Sequence, residues 1–173
     1  VHNPALMVAL ANAMPGIHHR APGPVLAAAA DHRVVLEAIA DNVHLDPHVV
    51  KLVFDSAPAR VALITDAMAA AGSADGHYDL GAVSVTVENG VARADDTGSI
   101  AGSTLTQDVA LQRAVQAGVA LPEAVRALTQ TPARAIGRDA SLGSLTTGML
   151  GDAVLLDADL RVARVWSGPR LLV

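Results

Sequence analysis

The 173-residue sequence contains no cysteine, which excludes disulfides and thiolate metal sites. Aromatic residues are nearly absent, with one Trp, one Tyr and one Phe. With 51% of residues apolar, the core must then be built from Ala, Val and Leu, which suits helices packed on a parallel sheet. No apolar run approaches the roughly 20 residues of a membrane span, and the longest candidate, Val25 to Ala30, is only a helix face. A basic field is also missing. The net charge is −5 and the Lys and Arg residues are scattered, so neither nucleic acid nor a membrane is expected as a partner. Val1-His2-Asn3-Pro4 has neither the basic nor the apolar stretch of a signal peptide, which points to the cytoplasm; a start at Val predicts that something upstream is missing or removed. The length suits one domain burying roughly 70% of the surface its unfolded chain exposes.

What is present is organised around Arg60 to Gly72. Val61, Ala62, Leu63 and Ile64 form an apolar run without alternation, as in a strand buried on both faces of a parallel sheet. The run ends just before Asp66. A carboxylate past the carboxyl end of such a strand is either a helix cap or loop hydrogen bonder, or a reacting group, because ligands of parallel α/β sheets sit at that edge. Val34 to Ala40 reads as a second buried strand, followed by Asp41 to Asp46 and by a helix that starts at Pro47 and carries Val49, Leu52 and Val53 on one face. Strand, polar loop, helix and strand make a βαβ unit. His44 and Asp66 are therefore expected at the same sheet edge, where His44 is either a structural hydrogen bonder or a functional group.

Upstream, Pro4 to Met14 has helical spacing and ends at Pro15-Gly16. The following loop, His18-His19-Arg20-Ala21-Pro22-Gly23, is either solvated surface or an anion site, since imidazolium and guanidinium suit a phosphate or carboxylate. Downstream, Val83, Val85 and Val87 alternate with polar residues, Asn89-Gly90 suits a type I′ turn, and Val91 to Ala94 returns, which predicts an inserted hairpin. Thr104 and Gln107 are spaced as a capping box before a helix over Val109 to Ala117. Two further helices are predicted over Pro122 to Gln130 and Pro132 to Ile136, then strands over Ala153 to Leu156 and Val162 to Val165. No glycine-rich phosphate loop, paired zinc-ligand motif or nucleophile elbow occurs.

Several motifs nevertheless follow one another in a recognisable order. Asn12-Ala13-Met14-Pro15, His18-His19-Arg20-Ala21-Pro22-Gly23, Ile39 to Asp46, Thr65-Asp66-Ala67-Met68, Ala101 to Thr106 and Thr131 to Gly137 resemble the N-acetylglucosamine-6-phosphate deacetylases of the amidohydrolase superfamily. Gly143 to Asp157 resembles that superfamily's return into its β-sandwich. The resemblance implies an α/β fold: the later strands of a metal-dependent hydrolase (β/α)8 TIM barrel over residues 1–140, with an inserted β-hairpin, and strands of a small C-terminal β-sandwich over residues 141–173. It implies a divalent metal, zinc, as one or two ions, a phosphorylated amino sugar as substrate, and a homodimer. Asp66 resembles the aspartate that takes a proton from the attacking water and returns it to the leaving amine, and it is the one candidate contributor to a second metal. His44 resembles the histidine that contacts the sugar, and Asn12 and Ala13 the segment that holds the phosphate. Arg20 resembles the phosphate-binding arginine, which the family can supply across a dimer, and Ala101, Gly102 and Ser103 the wall of the sugar pocket.

Two departures bear on activity. A full barrel takes about 250 residues, and the family's upstream Glu and His metal ligands have no counterpart here. The family also writes Thr-His-Leu-Phe before Asn-Ala-Met, where this sequence has Val8-Ala9-Leu10-Ala11, so Ala9 replaces a ligand His. The expectation is a deacetylase whose site is incomplete in this chain alone. The alternatives are a catalytically dead sugar-phosphate-binding homologue and another amidohydrolase acting on a different amide, for which Arg20 would have no use.

Overall fold

The computed structural model describes residues 14–173, together with the backbone of residues 6–9. Three strands, β1 (Leu6–Ala9), β2 (Val34–Ala38) and β3 (Val61–Leu63), form a parallel sheet in the order β1-β2-β3, with Leu6 opposite Val34 and Leu36 opposite Val61. The helix predicted for Pro4 to Met14 is corrected here: its Leu6–Ala9 segment is a strand. Four consecutive apolar residues carry no period, and pairing with β2 decides their conformation.

Helix α1 (Gly23–Ala30) leads into β2, and α2 (Pro47–Ser56) connects β2 to β3, completing the βαβ unit. Asp46 caps α2 by accepting from the His48 N–H at 2.8 Å, a bond that holds its carboxyl below the usual carboxylate range. Leu36, Ala38, Val50, Val53, Phe54 and Leu63 pack into the main core, and the only Phe is buried in it. The guanidinium of Arg60 closes the far end of the sheet. Its two terminal nitrogens donate to the carbonyls of Ala29, Asp31 and Val34, at 2.6, 3.0 and 2.7 Å, supplying donors where α1 ends.

The insertion after β3 has three strands where a hairpin was expected: β4 (Gly76–Leu80), β5 (Val83–Glu88) and β6 (Val91–Ala94), all antiparallel. Asn89 and Gly90 have φ of 51° and 74°, as the type I′ turn requires. Val85, Val87 and Ala92 bury their side chains with Met68, while β4 is mostly exposed and so lacks an apolar alternation.

Helix α3 (Gln107–Gln116) has Thr106 at its N-cap position, without a side-chain bond to the helix backbone, and the predicted capping box does not form. Thr104 lies two residues before that cap, and its hydroxyl donates instead to the Gly90 carbonyl at 2.6 Å, fastening the hairpin turn to the segment that starts α3. Helices α4 (Leu121–Leu128) and α5 (Gln130–Ala135) follow. The tail is an antiparallel sheet of β7 (Ala153–Leu156), β8 (Val162–Ser167) and a short β9 (Arg170–Leu171). Leu156 and Leu160 pack against the main core, and Gln112 donates to the Leu160 carbonyl at 3.2 Å. Among the described residues no helix is long and apolar enough to cross a membrane.

Candidate active site

Because β2 and β3 are parallel neighbours, the segments that leave them emerge at the same sheet edge. β3 leads through Ile64 and Thr65 to Asp66, whose side chain is exposed and whose φ is 50°. A left-handed backbone is rare outside glycine, but Asp tolerates it better than most residues. Two strand-like hydrogen bonds hold it: Ser103 N–H donates to the Asp66 carbonyl at 2.8 Å, and Met68 N–H donates to the Ser103 carbonyl at 2.9 Å. Gly102 makes that approach feasible. Its φ is 67°, and a Cβ there would stand 3.1 Å from the Asp66 carbonyl oxygen and 3.3 Å from Met68 Cβ.

Ser103 is buried, and its hydroxyl is engaged within the protein, donating to the Thr65 carbonyl and accepting from Leu105 N–H at 3.1 Å. Its observed contacts thus fix the Asp66 turn. Ala101 is half-buried, with its N–H donating to the Ala92 carbonyl at 3.1 Å.

β2 leads through Ile39 and Ala40, both buried, to a tight loop made by Asp41. One carboxylate oxygen, Oδ1, accepts from the N–H groups of Val43 and His44 at 2.9 and 2.8 Å. The other, Oδ2, lies 2.7 Å from His44 Nδ1, with 13% of the Asp41 side chain and 7% of the His44 side chain exposed. In the sequence Asp41 is part of the Ile39 to Asp46 motif without a role of its own. The legible signal is the Asp-x-x-His spacing, which lets one carboxylate bond both a loop backbone and an imidazole.

Arg20 lies on the exposed loop, where Ala21 N–H donates to the His18 carbonyl at 3.0 Å and the rings of His18 and His19 stand 4.3 Å apart. Asn12 and Ala13 lie outside the described residues, as does the side chain of Ala9. The structure thus joins Asp66 to Gly102 and Ser103, and His44 to Asp41. A cleft of about 160 Å³ borders Asp41, Thr104 and Arg113 but is lined by neither Asp66 nor His44. Among the described residues no group of three His, Cys, Asp or Glu side chains is placed to hold a metal ion, so the described residues do not by themselves fit one.

Residues 8–169 match the model of the amidohydrolase family. The chain belongs to that family. Over 156 residues it is 44% identical to an Escherichia coli O157:H7 N-acetylgalactosamine-6-phosphate deacetylase, covering 90% of this chain and 41% of the relative. An Escherichia coli K12 protein provisionally named for the same activity is also 44% identical, and there 90% of this chain matches 93% of the relative. Identity to the N-acetylglucosamine-6-phosphate deacetylase of Vibrio furnissii is 36%, over 93% of this chain and 40% of that protein. The fold of this family member superimposes on the Mycobacterium smegmatis N-acetyl-D-glucosamine-6-phosphate deacetylase, solved as a mutant in complex with N-acetyl-D-glucosamine-6-phosphate. The TM-score is 0.91 at 39% identity, covering 96% of this chain and 45% of that one. The Thermotoga maritima deacetylase gives 0.88 at 33% identity, over 95% and 46%. The chain thus spans about two fifths of the length of most of these curated relatives. Amidohydrolases are in general metal-dependent.

Proposed function

We propose that this chain supplies the proton-transfer and sugar-phosphate-binding part of a deacetylase that converts N-acetylglucosamine 6-phosphate to glucosamine 6-phosphate and acetate. The observation that carries the reading is Asp66, exposed on a constrained turn at the carboxyl edge of a parallel sheet in a fold shared with a deacetylase solved with that sugar phosphate. Water adds to the acetamide carbonyl carbon, the carbon–nitrogen bond breaks, and the proton lost by water goes to the leaving amine. Asp66 is the group that carries it, which requires a carboxylate within hydrogen-bond reach of both atoms. His44 contacts the sugar, Ala101 and Gly102 border it with Ser103 behind them, and Arg20 with Asn12 and Ala13 takes the phosphate.

The same reading makes β1, β2 and β3 the later strands of an eight-stranded barrel over residues 1–140, and places β7, β8 and β9 in a β-sandwich over residues 141–173. It sets the enzyme in cytoplasmic amino-sugar catabolism as a homodimer whose exposed Arg20 reaches the partner's substrate. Zinc is the metal that the family resemblance favours. The described residues do not form its ligand set. Ala9, which stands where the resemblance expects a ligand His, favours a second reading, sugar-phosphate binding without turnover. The 44% relatives favour the C4 epimer, N-acetylgalactosamine 6-phosphate, as the alternative sugar.

Arg20→Ala tests the phosphate assignment by calorimetric titration with each sugar, phosphorylated and not. A charge-assisted bond to phosphate contributes about 1.5 to 3 kcal/mol, so Kd for the 6-phosphates rises about 10- to 100-fold while that for the unphosphorylated sugars stays put. Equal losses on both would show that the loop does not read phosphate.

A further inference from the structure

Asp41 divides its carboxylate between two tasks. Oδ1 is occupied by two backbone donors, Val43 N–H and His44 N–H, while Oδ2 faces His44 Nδ1 at 2.7 Å. A carboxylate only accepts, so the ring nitrogen facing it must carry the proton. Both side chains are largely withdrawn from water, with 7% of His44 and 13% of Asp41 exposed, so water competes poorly for the contact. In the neutral ring the remaining nitrogen, Nε2, then holds a lone pair.

We infer that Asp41 is a positioning residue that locks His44 in the Nδ1-protonated tautomer, so that Nε2 meets its ligand as an acceptor and selects a hydroxyl donor. This rests on the proposed function only in naming the ligand as a sugar. A neutral Nε2 of this kind pairs with an O–H group of the hexose ring, whereas a carbonyl or a phosphate oxygen without a proton would face it lone pair to lone pair.

Asp41→Asn separates the lock from a merely structural loop contact. The amide has one accepting oxygen and one NH₂ group. If the oxygen keeps both backbone donors, the NH₂ lies where Oδ2 was and faces His44 Nδ1. Turning the amide over would save one bond at the loss of two, so the loop holds its shape and Nδ1 becomes the acceptor. The proton moves to Nε2, and a sugar hydroxyl must then turn round to accept from it, giving up the acceptor its own lone pairs offered elsewhere and redirecting its proton.

The experiment is ¹⁵N NMR of the imidazole nitrogens of His44 in the full chain, at a pH where the ring is neutral, with and without N-acetylglucosamine 6-phosphate. The wild-type chain is expected to show the Nδ1–H form and Asp41→Asn the Nε2–H form, with Kd for the sugar phosphate raised about tenfold. A wild-type Nε2–H tautomer overturns the lock whatever the variant does, and so does the same tautomer in both proteins. A switched tautomer with an unchanged Kd leaves the lock standing and overturns the sugar contact assigned to His44.

Discussion

Asp66→Asn lowers deacetylation by about 10² to 10⁴ in the assembled enzyme while leaving the unfolding midpoint of the chain where it is. Both halves follow from the turn that carries the residue. The side chain is exposed at the end of β3, so an amide of the same shape enters without repacking. The φ of 50° is no obstacle either, because Asn tolerates the left-handed region as well as Asp does. The backbone bonds to Ser103 do not involve the carboxylate and survive. What disappears is the ability to accept a proton from water and return it to the amine. Retention of more than about a hundredth of the activity would exclude Asp66 as the proton carrier.

Gly143→Ala destabilises the fold by about 3 kcal/mol, read as a lower denaturant midpoint at unchanged slope. Gly143 has a φ of 90°, where any L side chain is strained by about 1 to 2 kcal/mol. The new methyl carbon would also stand 2.9 Å from the Thr129 carbonyl oxygen, 2.9 Å from Ala133 Cβ and 3.0 Å from Gln130 Cα. Two of those three neighbours are backbone of the α4–α5 junction, which cannot swing aside as a flexible side chain would. Forcing atoms into a packed site usually costs a further 1 to 3 kcal/mol. A loss of less than about 0.5 kcal/mol, the range of an ordinary surface substitution, would show that the loop at Gly143 does not pack against the α4–α5 junction.

The sequence was most legible where a local signal and its tertiary use coincide. Pro47 after Asp46 marked the start of α2, Asn89-Gly90 marked the turn between β5 and β6, and the Val61 to Ile64 run marked β3, because each is set by backbone preference or two-sided burial. It was less legible where pairing alone decides the conformation. β1 is four apolar residues whose strand state comes from β2, β4 is an exposed strand without alternation, and β9 has two residues made into a strand by β8. Thr104 had the spacing of a cap, but a carbonyl 14 residues away in sequence, that of Gly90, competed for its hydroxyl. At the site, Asp66 and His44 were legible as strand-end residues. The group that orients His44 was not, since Asp41 looks like ordinary loop polarity until both of its oxygens are seen to be occupied.

In the proposed function one sheet edge of this chain, formed by the His44 loop, the Asp66 turn and Ala101 to Ser103, receives a phosphorylated N-acetylhexosamine. The most direct measurement is a titration of the ¹⁵N-labelled chain with N-acetylglucosamine 6-phosphate and N-acetylgalactosamine 6-phosphate, followed by amide chemical shifts. The expected result is saturable shifts at Val43 to Leu45, Asp66 to Met68 and Ala101 to Ser103 with at least one epimer, together with shifts at Arg20 that the unphosphorylated sugars do not produce. Saturable shifts confined to other parts of the chain, or no response from these three segments at any concentration of either sugar phosphate, would contradict it.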